Sequence, residues 1–107
     1  MVYIKRGGMM GFKETKAKVI ECLRQGNFAH EPRKDINASN LLHTQVVSPT
    51  EVVEMVLCCS GQDYKPDFHD ADRSVPIHIL KPKGKYDGWY IKFYFVTDGT
   101  MFISVHN

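Results

Sequence analysis

The chain has 107 residues, 43% hydrophobic and 24% charged, with 14 Lys and Arg against 12 Asp and Glu for a net charge of +2. That length suits one domain rather than two, and the composition lies outside the disordered regime. The longest apolar run, Val52–Cys59, is broken by Glu54 and is far shorter than the roughly 18 residues a membrane span needs. No apolar core follows Lys5 and Arg6, and the three cysteines (Cys22, Cys58, Cys59) form an odd set with adjacent members. These features predict a soluble cytoplasmic domain with reduced thiols and no membrane partner.

Residues 1–11, with Gly7, Gly8, Gly11 and the Met9-Met10 pair, read as a flexible leader ahead of a single domain over 12–107. From Phe12 to Gln25 the apolar residues recur near helical spacing, lysines take the other face, and Gly26 is placed to cap the segment. A basic loop from His30 to Lys34 follows, in which Arg33 is a candidate phosphate contact. A short turn of helix is expected between Ile36 and Thr44. Residues 1–40 hold eight Lys or Arg against four Asp or Glu, whereas 41–107 hold six against eight. This asymmetry permits nucleic-acid contact through phosphate neutralisation and equally suits a solvated helix face.

Ser48-Pro49-Thr50-Glu51 is a helix start: Ser48 caps, Pro49 lacks only an N–H the first turn does not need, and Glu51 completes a capping box. The helix should run to about Cys59; with Val52, Val53, Met55, Val56 and Leu57 it is apolar nearly all round and should be largely buried. After Gly61 the period changes. Residues 75–80, 89–96 and 100–106 are rich in β-branched and aromatic residues, with Asp87-Gly88 and Asp98-Gly99 in the connections. A further strand is allowed over Tyr64–Phe68, where Pro66 would confine it to an edge. The expected class is α+β, two main helices packed on one face of a small antiparallel sheet.

Alternation assigns faces. It predicts a buried side carrying Ile77, Ile79, Trp89, Ile91, Phe93, Met101 and Ile103, and an opposite side displaying His78, Tyr90, Lys92, Tyr94, Ser104 and His106. Lysine neutralises phosphate, aromatic rings stack bases, and histidine moves protons near neutral pH. That set suits metal-independent RNA cleavage, in which a 2′-hydroxyl attacks the adjacent phosphorus and leaves a 2′,3′-cyclic phosphate. Tyrosines and a solubilising lysine on an ordinary open sheet face explain the same pattern without chemistry. His69, Asp70 and Asp72 match no metal-ligand spacing, Cys58-Cys59 lacks the Cys-x-x-Cys interval, and no glycine-rich phosphate loop is present, so neither metal nor cofactor is expected.

The stretches Asp63-Tyr64-Lys65, Val75-Pro76-Ile77-His78, Trp89-Tyr90-Ile91-Lys92 and Met101-Phe102-Ile103-Ser104-Val105 resemble the carboxy-terminal half of the MqsR family. These are toxins of bacterial toxin–antitoxin pairs, RelE-like in fold, that cut mRNA without a metal. Val19–Arg33 resembles the family's first helix and basic loop only loosely. The resemblance implies an endoribonuclease with RNA as substrate and a cognate antitoxin as partner. It places Lys65 and Tyr90 on the family's catalytic lysine and tyrosine. The family's glutamine is absent, its position falling at Ile77, which makes the neighbouring His78 the stand-in. His106 stands where the family has a basic residue after the last strand. Lys92, Tyr94, His106 and Arg33 are then supporting RNA contacts around Lys65, His78 and Tyr90. The competing reading is a non-catalytic RNA- or protein-binding α+β module, favoured by Asp67, Asp70 and Asp72, which would repel phosphate near Lys65.

Overall fold

Apolar residues at helical spacing build helix α1 over Phe12–Gln25, burying Val19, Ile20, Cys22 and Leu23. The computed structural model describes residues 11–107, so the leader read over 1–11 lies outside the described residues except for Gly11. Helix α1 ends where Gly26 adopts a left-handed conformation (φ 75°), with the Asn27 N–H on the Cys22 carbonyl at 2.9 Å. Helix α2 is a single turn over Ile36–Ser39. Helix α3, Pro49–Leu57, begins with the expected capping box: Ser48 Oγ accepts from the Glu51 N–H at 3.1 Å and Glu51 Oε1 from the Ser48 N–H at 3.0 Å. It stops two residues earlier than the apolar pattern suggests. The Lys16 ammonium donates to the Leu57 and Cys59 carbonyls there and ties the end of α3 to α1. No helix among the described residues is long and apolar enough to cross a membrane.

The fold is α+β with five strands: β1 Phe28–His30, β2 Tyr64–Phe68, β3 Pro76–Leu80, β4 Tyr90–Val96 and β5 Gly99–His106, in the spatial order β1-β5-β4-β3-β2. β2 lies at an edge, where Pro66 needs no ladder partner for its missing N–H. β3, β4 and β5 pair antiparallel as the sequence predicts. The sheet as a whole is mixed, because β1 joins β5 in parallel through Phe28↔Thr100, Ala29↔Met101 and His30↔Phe102. Three residues without alternation gave no strand signal, and only the pairing with β5 makes them one.

The β4–β5 hairpin turns through Thr97-Asp98 rather than Asp98-Gly99, since Val96 faces Gly99. Gly99 answers a different need. A Cβ there would stand 2.4 Å from the Asn27 carbonyl oxygen, which accepts the Thr100 N–H at 3.0 Å. The glycine lets the α1–β1 connection pass close to the hairpin.

The main core joins Val19, Ile20 and Leu23 of α1 and Val52, Val53 and Val56 of α3 to Leu80, Ile91, Phe93, Phe95, Phe102 and Val105 of the sheet. Trp89, just before β4, is half-buried against this cluster. A smaller cluster of Val75, Ile77, Tyr94 and Ile103 occupies the opposite face, with Val96 and Met101 beside it. Two face assignments therefore need correction. In β5 the pairing shifts between Lys92↔Ser104 and Phe93↔Phe102, leaving Ile103 as an extra residue. Phe102 and Val105 thus both reach the helical side, while Met101 and Ile103 lie on the open one. In β3 the register His78↔Phe93 and Ile79↔Lys92 puts His78 and Leu80 toward the helices and Ile77 and Ile79 away from them. Alternation could not fix that phase, because Ile77, Ile79 and Leu80 make both sides of β3 apolar.

Candidate functional site

The open face of the sheet is organised by register. Lys65 pairs with Ile79, Ile79 with Lys92 and Lys92 with Ser104, so two lysines from β2 and β4 share one row across the strands. Two strand intervals separate them, about 10 Å at the backbone, within reach of one phosphodiester for two lysine stems. In the adjoining row Tyr90 pairs with His106, their rings stacked at 5.2 Å and 19°. The Lys81 ammonium lies 5.8 Å from the Tyr90 ring centroid. Lys65 is exposed; Tyr90, Lys92 and His106 are half-buried. Four of the predicted site residues are thereby brought to one surface, and Lys81, which sequence reasoning missed, joins them. Its signal was positional: it directly follows β3 and falls opposite Tyr90 once the register is known.

Tyr90 is not placed to act as a base. Burial raises its phenol above the ordinary tyrosine value and Asp67 and Asp70 raise it further, while Arg33 opposes them. The phenol therefore stays protonated at neutral pH and has a hydrogen to donate. Arg33, exposed on the loop after β1, is accordingly within electrostatic reach of Tyr90.

His78 is the clearest correction. It is only 3% exposed and belongs to the helical side of the sheet, its ring 5.5 Å from Phe93 and 5.3 Å from Phe95. Its Nδ1 is bonded to the Tyr64 hydroxyl at 2.8 Å. Burial, helped by Lys18, lowers its pKa to about 4, so it is neutral at physiological pH. Lys65 and Tyr90 face one way and His78 the other; the three do not converge. The pairing of His78 with Phe93 turns the imidazole to the helical side of β3, a strand whose two sides are both apolar.

Tyr94 lies on the open side but is buried rather than displayed. Its hydroxyl donates to Glu31 Oε1 at 3.0 Å, and the same oxygen accepts from His69 Nε2 at 2.7 Å. Burial, reinforced by the hydrogen bond to the Glu31 carboxylate and its charge, pushes the Tyr94 phenol up to about 12. His69 Nδ1 accepts the Ala71 N–H at 3.0 Å, which leaves neither ring nitrogen for a metal. Asp72 is engaged by the Ser74 hydroxyl and N–H at 2.6 and 3.1 Å. Nothing in sequence spacing joins Glu31, His69 and Tyr94; only the fold does.

Against known proteins, no family model, no curated protein and no solved structure matches this chain.

Proposed function

We propose that the chain is a metal-independent endoribonuclease toxin of a type II toxin–antitoxin pair, a RelE-like domain with two helices on one sheet face and its site on the other. The observation that supports this reading is the cationic row of Lys65 and Lys92 beside the stacked Tyr90–His106 pair on the face away from the main core. His106 takes the proton of the RNA 2′-hydroxyl, whose oxygen attacks the adjacent phosphorus. The phosphorus–O5′ bond breaks, and the Tyr90 phenol donates to the leaving oxygen. Lys65 and Lys92 neutralise the charge that builds on the non-bridging oxygens, where a well-placed donor is worth roughly 3–4 kcal/mol. The products are a 2′,3′-cyclic phosphate and a 5′-hydroxyl, and the proton returns from His106 to Tyr90 through water. His78 has no part in this scheme. The working protein would be cytoplasmic and held by its antitoxin.

The experiment is incubation of the purified chain with RNA in excess EDTA, beside Lys65→Ala, Tyr90→Phe and His106→Ala. Cyclic-phosphate ends from the wild type and their loss in the three variants support the reading. Cleavage that survives all three changes rejects the site. One observation favours a second reading, a module that binds without cutting: Asp67 and Asp70 stand close enough to Tyr90 to raise its phenol and would oppose a phosphate there. Tight RNA binding without products would select it.

A further inference from the structure

β1 and β2 are the two edge strands, four intervals or about 19 Å apart. Yet the residue that follows each, Glu31 after β1 and His69 after β2, meet at 2.7 Å, and both lie against Tyr94 of the central strand β4. Two loops thus arch in from opposite edges and close over one end of the open face. Each is anchored in turn. The Glu31 N–H donates to the Phe102 carbonyl at 2.9 Å and the His69 N–H to the Val75 carbonyl at 2.9 Å. The His69 and Tyr94 rings meet edge-to-face at 5.4 Å, and the Glu31 and His69 side chains are 20% and 17% exposed. A single oxygen, Glu31 Oε1, holds the junction. Two residues beyond it comes Arg33.

We propose that Glu31 is a positioning residue: by accepting the Tyr94 and His69 hydrogen bonds it straps the Arg33 loop across the sheet and keeps the guanidinium within electrostatic reach of Tyr90, on the side where the RNA phosphate would lie. The last step rests on the ribonuclease reading; the strap itself does not. Because both donors use the same oxygen, a glutamine amide oxygen can accept both bonds without a charge. A base at Glu31 would need the carboxylate. Glutamine therefore separates positioning from catalysis. Around the Tyr90 phenol, Asp67 and Asp70 raise its pKa and Arg33 lowers it, while His106 stacks on the ring and the Lys81 ammonium lies 5.8 Å from its centroid, and neither of these two belongs to the strap. A loosened strap should let the Tyr90 titration rise.

The test compares the intact chain with Glu31→Ala, Glu31→Gln, Arg33→Ala and the Glu31→Ala/Arg33→Ala double variant, with Tyr94→Phe as a milder change that keeps the ring. In Glu31→Ala, amide hydrogen exchange at residues 31, 69 and 71 should quicken by about tenfold or more while β4 stays protected. Tyr94→Phe should give a smaller increase, and Glu31→Gln should stay close to wild type. By ring-resolved titration, Glu31→Ala and Arg33→Ala should raise the Tyr90 pKa alike, with nothing added in the double variant. In RNA cleavage the same two changes should lower kcat/KM by a factor between about ten and a hundred, non-additively, with Glu31→Gln restoring it. Unchanged exchange in Glu31→Ala, or additive shifts of Tyr90, overturns the proposal. So does a Glu31→Gln variant that exchanges normally yet loses activity, which would make Glu31 a base. If the wild type cuts no RNA, the ribonuclease reading fails, and exchange and titration still decide the strap.

Discussion

Replacing His78 with Asn tests the buried side of the molecule. Its imidazole is 3% exposed against Phe93 and Phe95, and burial with Lys18 nearby lowers its pKa from 6.5 to about 4. In the unfolded chain it titrates near its ordinary value, so between pH 6.5 and 4 the unfolded state holds the proton and the folded state does not. The stability tied to this group is fully present above pH 6.5 and is lost as pH falls toward 4. At 1.36 kcal/mol per unit, about 2.5 units correspond to about 3 kcal/mol, a sizeable share of a small domain's stability. Asn offers the Tyr64 hydroxyl an acceptor and does not titrate. Urea unfolding at intervals from pH 7 to 4 should show the wild type losing about 3 kcal/mol more than His78→Asn, whatever the variant's stability at pH 7. Parallel profiles for the two proteins would refute the reasoning and place His78 in water.

Gly99→Ala should destabilise by roughly 1–3 kcal/mol in thermal or urea unfolding, because the new Cβ meets a backbone oxygen at 2.4 Å that cannot swing away; a neutral result would show that the connection yields. Ser48→Ala should cost about 1 kcal/mol by removing the acceptor of the Glu51 N–H, measured as a lower urea midpoint at unchanged slope. At pH 7, His78→Asn should retain RNA cleavage within about twofold, whereas His106→Ala should lose on the order of a hundredfold, as removal of a proton-transfer group does.

Both long helices were legible because their signals are local: Gly26 and the Ser48–Glu51 box act within one turn of the chain. Pro66 likewise announced an edge strand. What was hidden depends on contacts distant in sequence. β1 exists only through β5, and the extra Ile103 reverses the side taken by Met101 and Phe102. In β3, a strand apolar on both sides, the pairing of His78 with Phe93 decides the phase. The candidate site divides along the same line. Tyr90, Lys92 and Tyr94 follow from the alternation of β4, and Ser104 and His106 lie beyond the bulge on the side predicted. His78 was assigned to the wrong face, and Lys81, Glu31 and His69 become visible only when five strands stand in order.

The most direct test of the central claim is the chemistry of the ends. Purified chain is incubated with a single-stranded RNA in excess EDTA, and the fragments are analysed for 2′,3′-cyclic phosphate and 5′-hydroxyl termini. A ribonuclease of the proposed kind leaves both termini, at a rate that falls on the order of a hundredfold in Lys65→Ala and is preserved in His78→Asn. Absence of cleavage, 5′-phosphate ends, or a Lys65→Ala variant as active as the wild type would contradict it.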